Sequence, residues 1–152
     1  PSVFSGYLRN EEEMRALIRG EWMATGDIVR QDEEGYFWVV GRAKNVIRSG
    51  EESVYPEEVE RLLLMYPKIK DVVVIGVPDE KWGEVPKALV VLKEGERITK
   101  EEIVEFLKDK IAKYKIPKYV EVVKELVYTE TGKVSRPALK ALYGQPRDKL
   151  EV

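Results

Sequence analysis

The sequence predicts an α+β fold: a small mixed β-sheet flanked by helices, preceded by a β-hairpin and a hinge connector. Three observations carry that expectation. "DVVVIGV" (71–77) is an unbroken apolar run of strand length, as expected for a strand covered on both faces. "PEEVERLLLMYP" (56–67) and "TKEEIVEFLKDKI" (99–111) repeat apolar residues at helical spacing. "GDIVRQDEEGYFWVVGR" (26–42) sets two β-rich runs around a polar turn.

Taken in order, "NEEEMRALIRG" (10–20) reads as a short helix. Asn10 can cap it, Glu13 occupies the capping-box position, Met14, Leu17 and Ile18 share a face, and Gly20 stops it. The hairpin follows, with Gly35 supplying a permissive backbone at its turn. "AKNVIRSGEES" (43–53) is polar and aperiodic, which predicts a connector. In the next helix Pro56 suits the first turn, and Glu57 and Glu58 sit at its positive end. The strand 71–77 leads through a polar loop, "PDEKWGEVP", to a second strand, "KALVVLK" (87–93). The helix after it carries Thr99 and Glu102 as a capping box, with Ile103, Phe106, Leu107 and Ile111 inward. "YVEVV" (119–123) is a third strand, and "RPALKALYG" (136–144) a last helix with Ser135 as its cap. The expected division is therefore 1–43, 44–144 and a flexible tail, 145–152.

The 152 residues carry 26 basic and 28 acidic side chains, a net charge of −2, which leaves no electrostatic footprint for nucleic acid. There is no cysteine and no histidine. Disulfides, thiolate nucleophiles, histidine triads and Cys/His zinc sites are excluded within this sequence, and no metal site is expected. No apolar run reaches the ~20 residues of a membrane span. A cytoplasmic location is the expectation. The remaining polar chemistry, built on Lys, Arg, Asp, Glu, Ser, Thr and Tyr, suits phosphate and carboxylate handling.

Four stretches invite a functional reading. In "YTETGKVSR" (128–136) Lys133 follows a glycine just ahead of a helix. A P-loop needs a glycine five positions before Gly132 and Ser or Thr after the lysine; Val127 and Val134 stand there instead. Taken alone, Lys133 is either a solvated turn lysine or an ammonium poised against a developing anion. At ~4 Å and an effective dielectric of about 20, such a contact is worth roughly 4 kcal/mol. "TGD" (25–27) is turn chemistry or, through Asp27, an acceptor for ribose hydroxyls. "GRAKNVIRSG" (41–50) is a solvated linker or a hinge whose Arg42 can fork onto phosphate or ribose. The lysines of "KDKIAKYKIPK" (108–118) read as a solvated helix end. Trp22, Trp38 and Trp82 read as packing residues.

In this order and spacing, "GYL", "GEWMATGD", "DEEGYFWVVGRAKNVIRSGEESVYPEEVE", "VVVIGVPDEKWGEVPKALVV", "KYKIP" and "TGKVSR" resemble the C-terminal part of adenylate-forming acid–CoA ligases. The likeness runs from about Gly6 to Leu142. It implies that residues 1–43 end a large N-terminal adenylation domain, and that 44–144 form a mobile lid. By that resemblance Asp27 binds the ribose hydroxyls of ATP or AMP and Arg42 also contacts the nucleotide. Lys44 is the hinge, Ser49, Gly50 and Glu51 form the loop facing CoA, and Lys133 bridges the carboxylate and the α-phosphate during adenylation. The implied partners are a fatty or aryl carboxylic acid, ATP with Mg2+ bound mainly by the N-terminal domain, and CoA. The chain reads as part of such an enzyme, inactive alone. Loading of a carrier protein, or a non-catalytic interaction module, are the alternatives. One departure stands out: the family's Ser-Gly-Gly-Glu-Asn reads "SGEES", placing the carboxylate of Glu51 beside the passage expected for CoA.

Overall fold

A computed structural model describes residue 4 and residues 10–151. The chain divides into two compact units, residues 1–44 and 45–152.

The first unit opens with α1 (Glu11–Leu17), then a two-residue ladder of β1 (Ile18–Arg19) against β2 (Trp22–Met23). The expected helix thus ends two residues early. Gly20, at φ 64°, does not cap it but makes the tight turn that pairs Arg19 with Trp22. The "GYL" stretch and the Glu13 side chain lie outside the described residues. The hairpin forms as expected, with β3 (Asp27–Gln31) antiparallel to β4 (Phe37–Arg42). Asp32 organises its turn: Oδ1 accepts from the backbone N–H of Glu34 and Tyr36, and Oδ2 from Trp38 Nε1 at 2.6 Å. Those donors, the Trp38 indole foremost, hold the Asp32 carboxyl below its ordinary range. Trp22 is 81% exposed and Trp38 57%, so neither is the packing residue the sequence suggested.

A single 3₁₀ turn, Ala43–Asn45, carries the division between units. The second unit holds a five-stranded mixed sheet. Its strands are β5 (Ile47–Ser49), β6 (Glu52–Val54), β7 (Ile69–Asp79), β8 (Gly83–Leu92) and β9 (Tyr119–Val122), with β9 parallel to β8 and the other pairings antiparallel. The helices are α2 (Pro56–Leu63), α3 (Lys100–Leu107) and α4 (Arg136–Tyr143). Val72 and Val74 of β7 face a core with Leu63, Ile103 and Leu107; Val73, Ile75 and Val77 face a second core with Leu139. Alternate residues of one apolar run therefore meet helices on opposite faces, as its unbroken pattern implies.

Three local expectations need correction. The connector 43–53 lacks helical period as expected but is not merely a linker: Ile47 and Ser49 are buried, and β5 pairs with both β6 and β8. The loop 78–86 shrinks to three residues, because the β7–β8 ladder runs through Asp79↔Gly83. The tail, expected to be flexible, makes specific contacts at Asp148 and Lys149. The backbone N–H of Val122 donates to Lys149 O at 2.7 Å, Lys149 N–H donates to Val120 O, and Asp148 accepts from Val120 N–H and pairs with Lys100. The capping box of α3 forms as expected: Thr99 Oγ1 accepts from Glu102 N–H, and Glu102 Oε2 from Thr99 N–H. Ser135 makes no side-chain cap for α4; its backbone N–H donates to Val127 O.

Candidate functional site

Asp27 and Arg42 sit opposite one another across the β3–β4 ladder. That register sets Arg42 Nη1 3.0 Å from Asp27 Oδ1, while the same nitrogen donates to Thr25 O at 2.7 Å. Gly26 takes φ 76°, and its carbonyl accepts from Ala43 N–H, closing the "TGD" turn onto the strand end. The Asp27 side chain is 31% exposed, so the carboxylate keeps acceptor capacity toward solvent while Arg42 fixes its direction. Lys44, two residues on, is exposed within the 3₁₀ turn.

In the second unit Ser49, Gly50 and Glu51 line a cavity of about 1050 Å³ with Trp82, Tyr114 and Lys118. The β5–β6 turn is built for close approach. Gly50 takes φ 62°, its N–H donates to Trp82 O at 2.8 Å, and a Cβ there would stand 3.0 Å from the indole ring. Trp82 is 46% exposed, and the Lys81 ammonium lies 4.6 Å from its ring centroid. Asp79 shapes this loop: Oδ1 accepts from the N–H groups of Lys81 and Trp82, and Oδ2 pairs with Lys118. The Lys118 hydrogen bond, above all, holds the Asp79 carboxyl below its ordinary range. Lys81, Lys113 and Lys118 line the cavity against two carboxylates, Glu51 and Glu52. Glu51 thus shares the cavity wall with three cations and a second carboxylate. Lys113 and Lys118 are not the plain solvated helix end that the sequence suggested, and Lys115 is held by both oxygens of Glu58 at 2.8 and 2.9 Å.

Lys133 tips a separate turn. Thr129 N–H donates to Lys133 O at 2.7 Å, Gly132 N–H to Thr129 O at 2.9 Å, and Lys133 N–H to Thr129 Oγ1. Gly132, at φ 75°, supplies the left-handed step. The turn is ordered backbone, yet the lysine side chain is exposed and makes no ion pair among the described residues. Sequence reasoning missed Lys81, Asp79 and Lys118 as neighbours of the Gly50 loop. Their only signal was the compact "PDEKWG" between two strands, which marks a tight turn but not what it faces.

A family described as "AMP-binding enzyme C-terminal domain" matches residues 58–133, half of the chain. The chain is 42% identical over 144 residues to a feruloyl-CoA synthase of Amycolatopsis sp., covering 95% of this chain and 29% of that protein. It is 43% identical over 139 residues to a long-chain-fatty-acid–CoA ligase of Bacillus subtilis (strain 168), covering 91% of this chain and 25% of that one. The structure of o-succinylbenzoate coenzyme A synthetase from Bacillus subtilis in complex with AMP superimposes with TM-score 0.83 at 34% identity, covering 97% of this chain and 29% of that one. The chain thus spans under a third of the length of these relatives. A five-stranded mixed sheet with its helices, an ordered "TGK" turn and a matching family model converge: the chain belongs to the AMP-binding enzyme C-terminal domain family.

Proposed function

We propose that this chain is the C-terminal portion of an ATP-dependent, AMP-forming acid–CoA ligase, and that residues 44–144 act as its mobile lid. The feruloyl-CoA synthase and the long-chain-fatty-acid–CoA ligase make CoA thioesters by name, which supports a carboxylic acid, ATP and CoA as substrates. Aryl and fatty acids are both represented among these relatives. The setting is cytoplasmic.

The observation that carries the reading is the state of Lys133: an exposed ammonium without an ion-pair partner among the described residues, on a turn closed by the backbone N–H groups of Thr129, Gly132 and Lys133. A group so placed is uncommitted, on a backbone fixed by the turn's hydrogen bonds. In the first half-reaction it neutralises the charge shared between the acid's carboxylate and the α-phosphate, while a carboxylate oxygen attacks phosphorus and pyrophosphate leaves. Asp27 accepts from the ribose hydroxyls, held in place by Arg42. In the second half-reaction the CoA sulfur attacks the acyl carbon, loses its proton and expels AMP. Here the Gly50 loop faces the incoming CoA. The cavity it lines offers two aromatic side chains and three cations, a complement to an adenine ring and phosphates. That nucleotide-sized provision favours CoA over a carrier protein, whose phosphopantetheine lacks the adenosine. Mg2+ would accompany the phosphates of ATP and be held mainly by the N-terminal domain.

Lys133→Ala in the full-length enzyme is the test. Adenylation, followed by pyrophosphate release, should fall by about three decades, the scale of one strong charge contact. Thioester formation from supplied acyl-adenylate should survive. Equal loss of both half-reactions rejects the assigned role.

A further inference from the structure

The geometry points to Arg136 as a positioning residue that locks the Lys133 turn to α2 and to the residue following the hinge position. This rests on the adenylation role of Lys133. Arg136 stands three residues beyond Lys133, at the first position of α4. Its Nη1 donates to Glu60 Oε1 at 2.8 Å and to Val74 O at 2.7 Å, and its Nη2 donates to Glu60 Oε2 at 2.9 Å. The guanidinium thus uses a two-pronged fork on one carboxylate and adds a backbone carbonyl of β7. It also lies 3.6 Å from Glu57 Oε1, which accepts from Asn45 Nδ2 at 2.7 Å.

These contacts form a continuous set: Asn45, Glu57, Arg136 and Glu60, with Val74 N–H donating to Glu60 Oε1 at 2.6 Å. Asn45 is the first residue of the second unit, directly after Lys44. The other leg of the turn has its own anchor, Tyr128 OH donating to Asp71 Oδ2 at 2.7 Å on the same strand β7. The turn is pinned at both ends to β7, and among the described residues Arg136 alone extends that pinning to α2 and Asn45. Glu57 and Glu60, one helical turn apart, carry like charges, and Glu57 Oε2 is buried without a hydrogen bond. Arg136 is the cation beside both, so its removal leaves two partly buried carboxylates facing each other. Lys133 is then carried on a rigid body that begins immediately after Lys44, and swinging that body moves the ammonium without slack. A lysine on a loose turn would misplace its charge, and a displacement of about 1 Å can cost ~100-fold in rate.

Arg136→Gln tests this in two ways. In the 152-residue chain, amide hydrogen exchange at Thr129, Gly132 and Ser135 should quicken about tenfold or more, while the β7–β8 amides exchange as in wild type. In the full-length enzyme, adenylation should fall ~10- to 100-fold, with thioester formation from supplied acyl-adenylate changed by less than about twofold. Arg136→Lys, which returns one charge to Glu60 without the fork, should recover part of the loss. If Arg136→Gln does not fold, Glu60→Gln removes the same ion pair while keeping an acceptor for Val74 N–H, and the same pattern is expected. Turn amides that exchange at the wild-type rate, or equal losses in both half-reactions, overturn the assignment. Should Lys133→Ala leave adenylation intact, the role of Lys133 fails by itself, and the exchange measurement still judges whether Arg136 orders the turn.

Discussion

Lys87 sits in the middle of the sheet with no exposed surface, and its three ammonium protons are all placed. Nζ donates to Glu121 Oε2 at 2.7 Å, Tyr143 O at 2.9 Å and Gln145 O at 2.8 Å. The charge is thereby compensated by one carboxylate from β9, and the two carbonyls bind the end of α4 to β8. Desolvating such a pair is costly, so its net contribution to stability is small, but breaking it leaves a buried carboxylate alone. Lys87→Met is therefore expected to cost ~3–5 kcal/mol, measured by urea denaturation. Combining it with Glu121→Leu should return most of that loss. A cost below about 1 kcal/mol for the single change would mean that water reaches Glu121. Nothing in "PKALVV" announces this role. A lysine at a strand start reads as solvated, and the partners lie 34 to 58 residues away. Asp27, Arg42 and Lys133 drew notice from local turn and strand-end chemistry, but the roles proposed for them come from the resemblance of the ordered motifs. Arg136 drew no notice, because its partner Glu60 comes from 76 residues earlier.

At the scale of elements, sequence resolves what is periodic and misses what is decided by pairing. The capping box and apolar stripe of α3 and the alternating burial of β7 follow from neighbours within one turn or two residues. The β5–β6 hairpin does not: Ser49 is buried where β5 pairs with Gly83 of β8. Its turn is accordingly sensitive. Gly50→Ala forces a side chain into φ 62° and against Trp82, and should cost about 1–2 kcal/mol of stability. In the full-length enzyme it should slow thioester formation more than adenylation. A thermal melt unchanged by the substitution would mean that the loop relaxes into another conformation.

The same element-level logic gives α3 a pH signature. Glu102 closes the capping box and also receives the Lys68 ammonium and Tyr66 hydroxyl. The Lys68 hydrogen bond, followed by the Thr99 N–H, holds its carboxyl below the ordinary 4.5. Between that depressed value and 4.5 the unfolded chain binds more protons than the folded one, so stability rises with pH across this window. The contribution is present above 4.5 and lost as acid titrates the folded group. Glu102→Gln should thus be less stable than wild type at neutral pH and equal to it in strong acid. Urea midpoints compared along a pH series measure the difference, and a gap that widens toward acid would contradict the assignment.

For the whole molecule the decisive feature is the division at Lys44/Asn45, carried by one 3₁₀ turn with no buried residue. A lid that serves two half-reactions needs its backbone freedom concentrated in few residues, since packed interiors do not deform gradually. Lys44, the proposed hinge, is exposed and directly precedes Asn45, where the Asn45–Glu57–Arg136 contacts begin. Lys44→Pro should remove the freedom without touching either core. The ring fixes φ near −65° at position 44 and pushes Ala43 away from helical geometry. In the full-length enzyme the expected result is asymmetric: the half-reaction whose conformation suits the fixed hinge proceeds, and the other slows by about tenfold or more. The melting temperature of residues 45–152 should stay unchanged. Single-turnover formation of acyl-adenylate and of thioester, followed separately, gives the measurement. Equal slowing of both would place the pivot elsewhere in the chain, whereas an unaffected enzyme would mean that one arrangement of the two units performs both reactions.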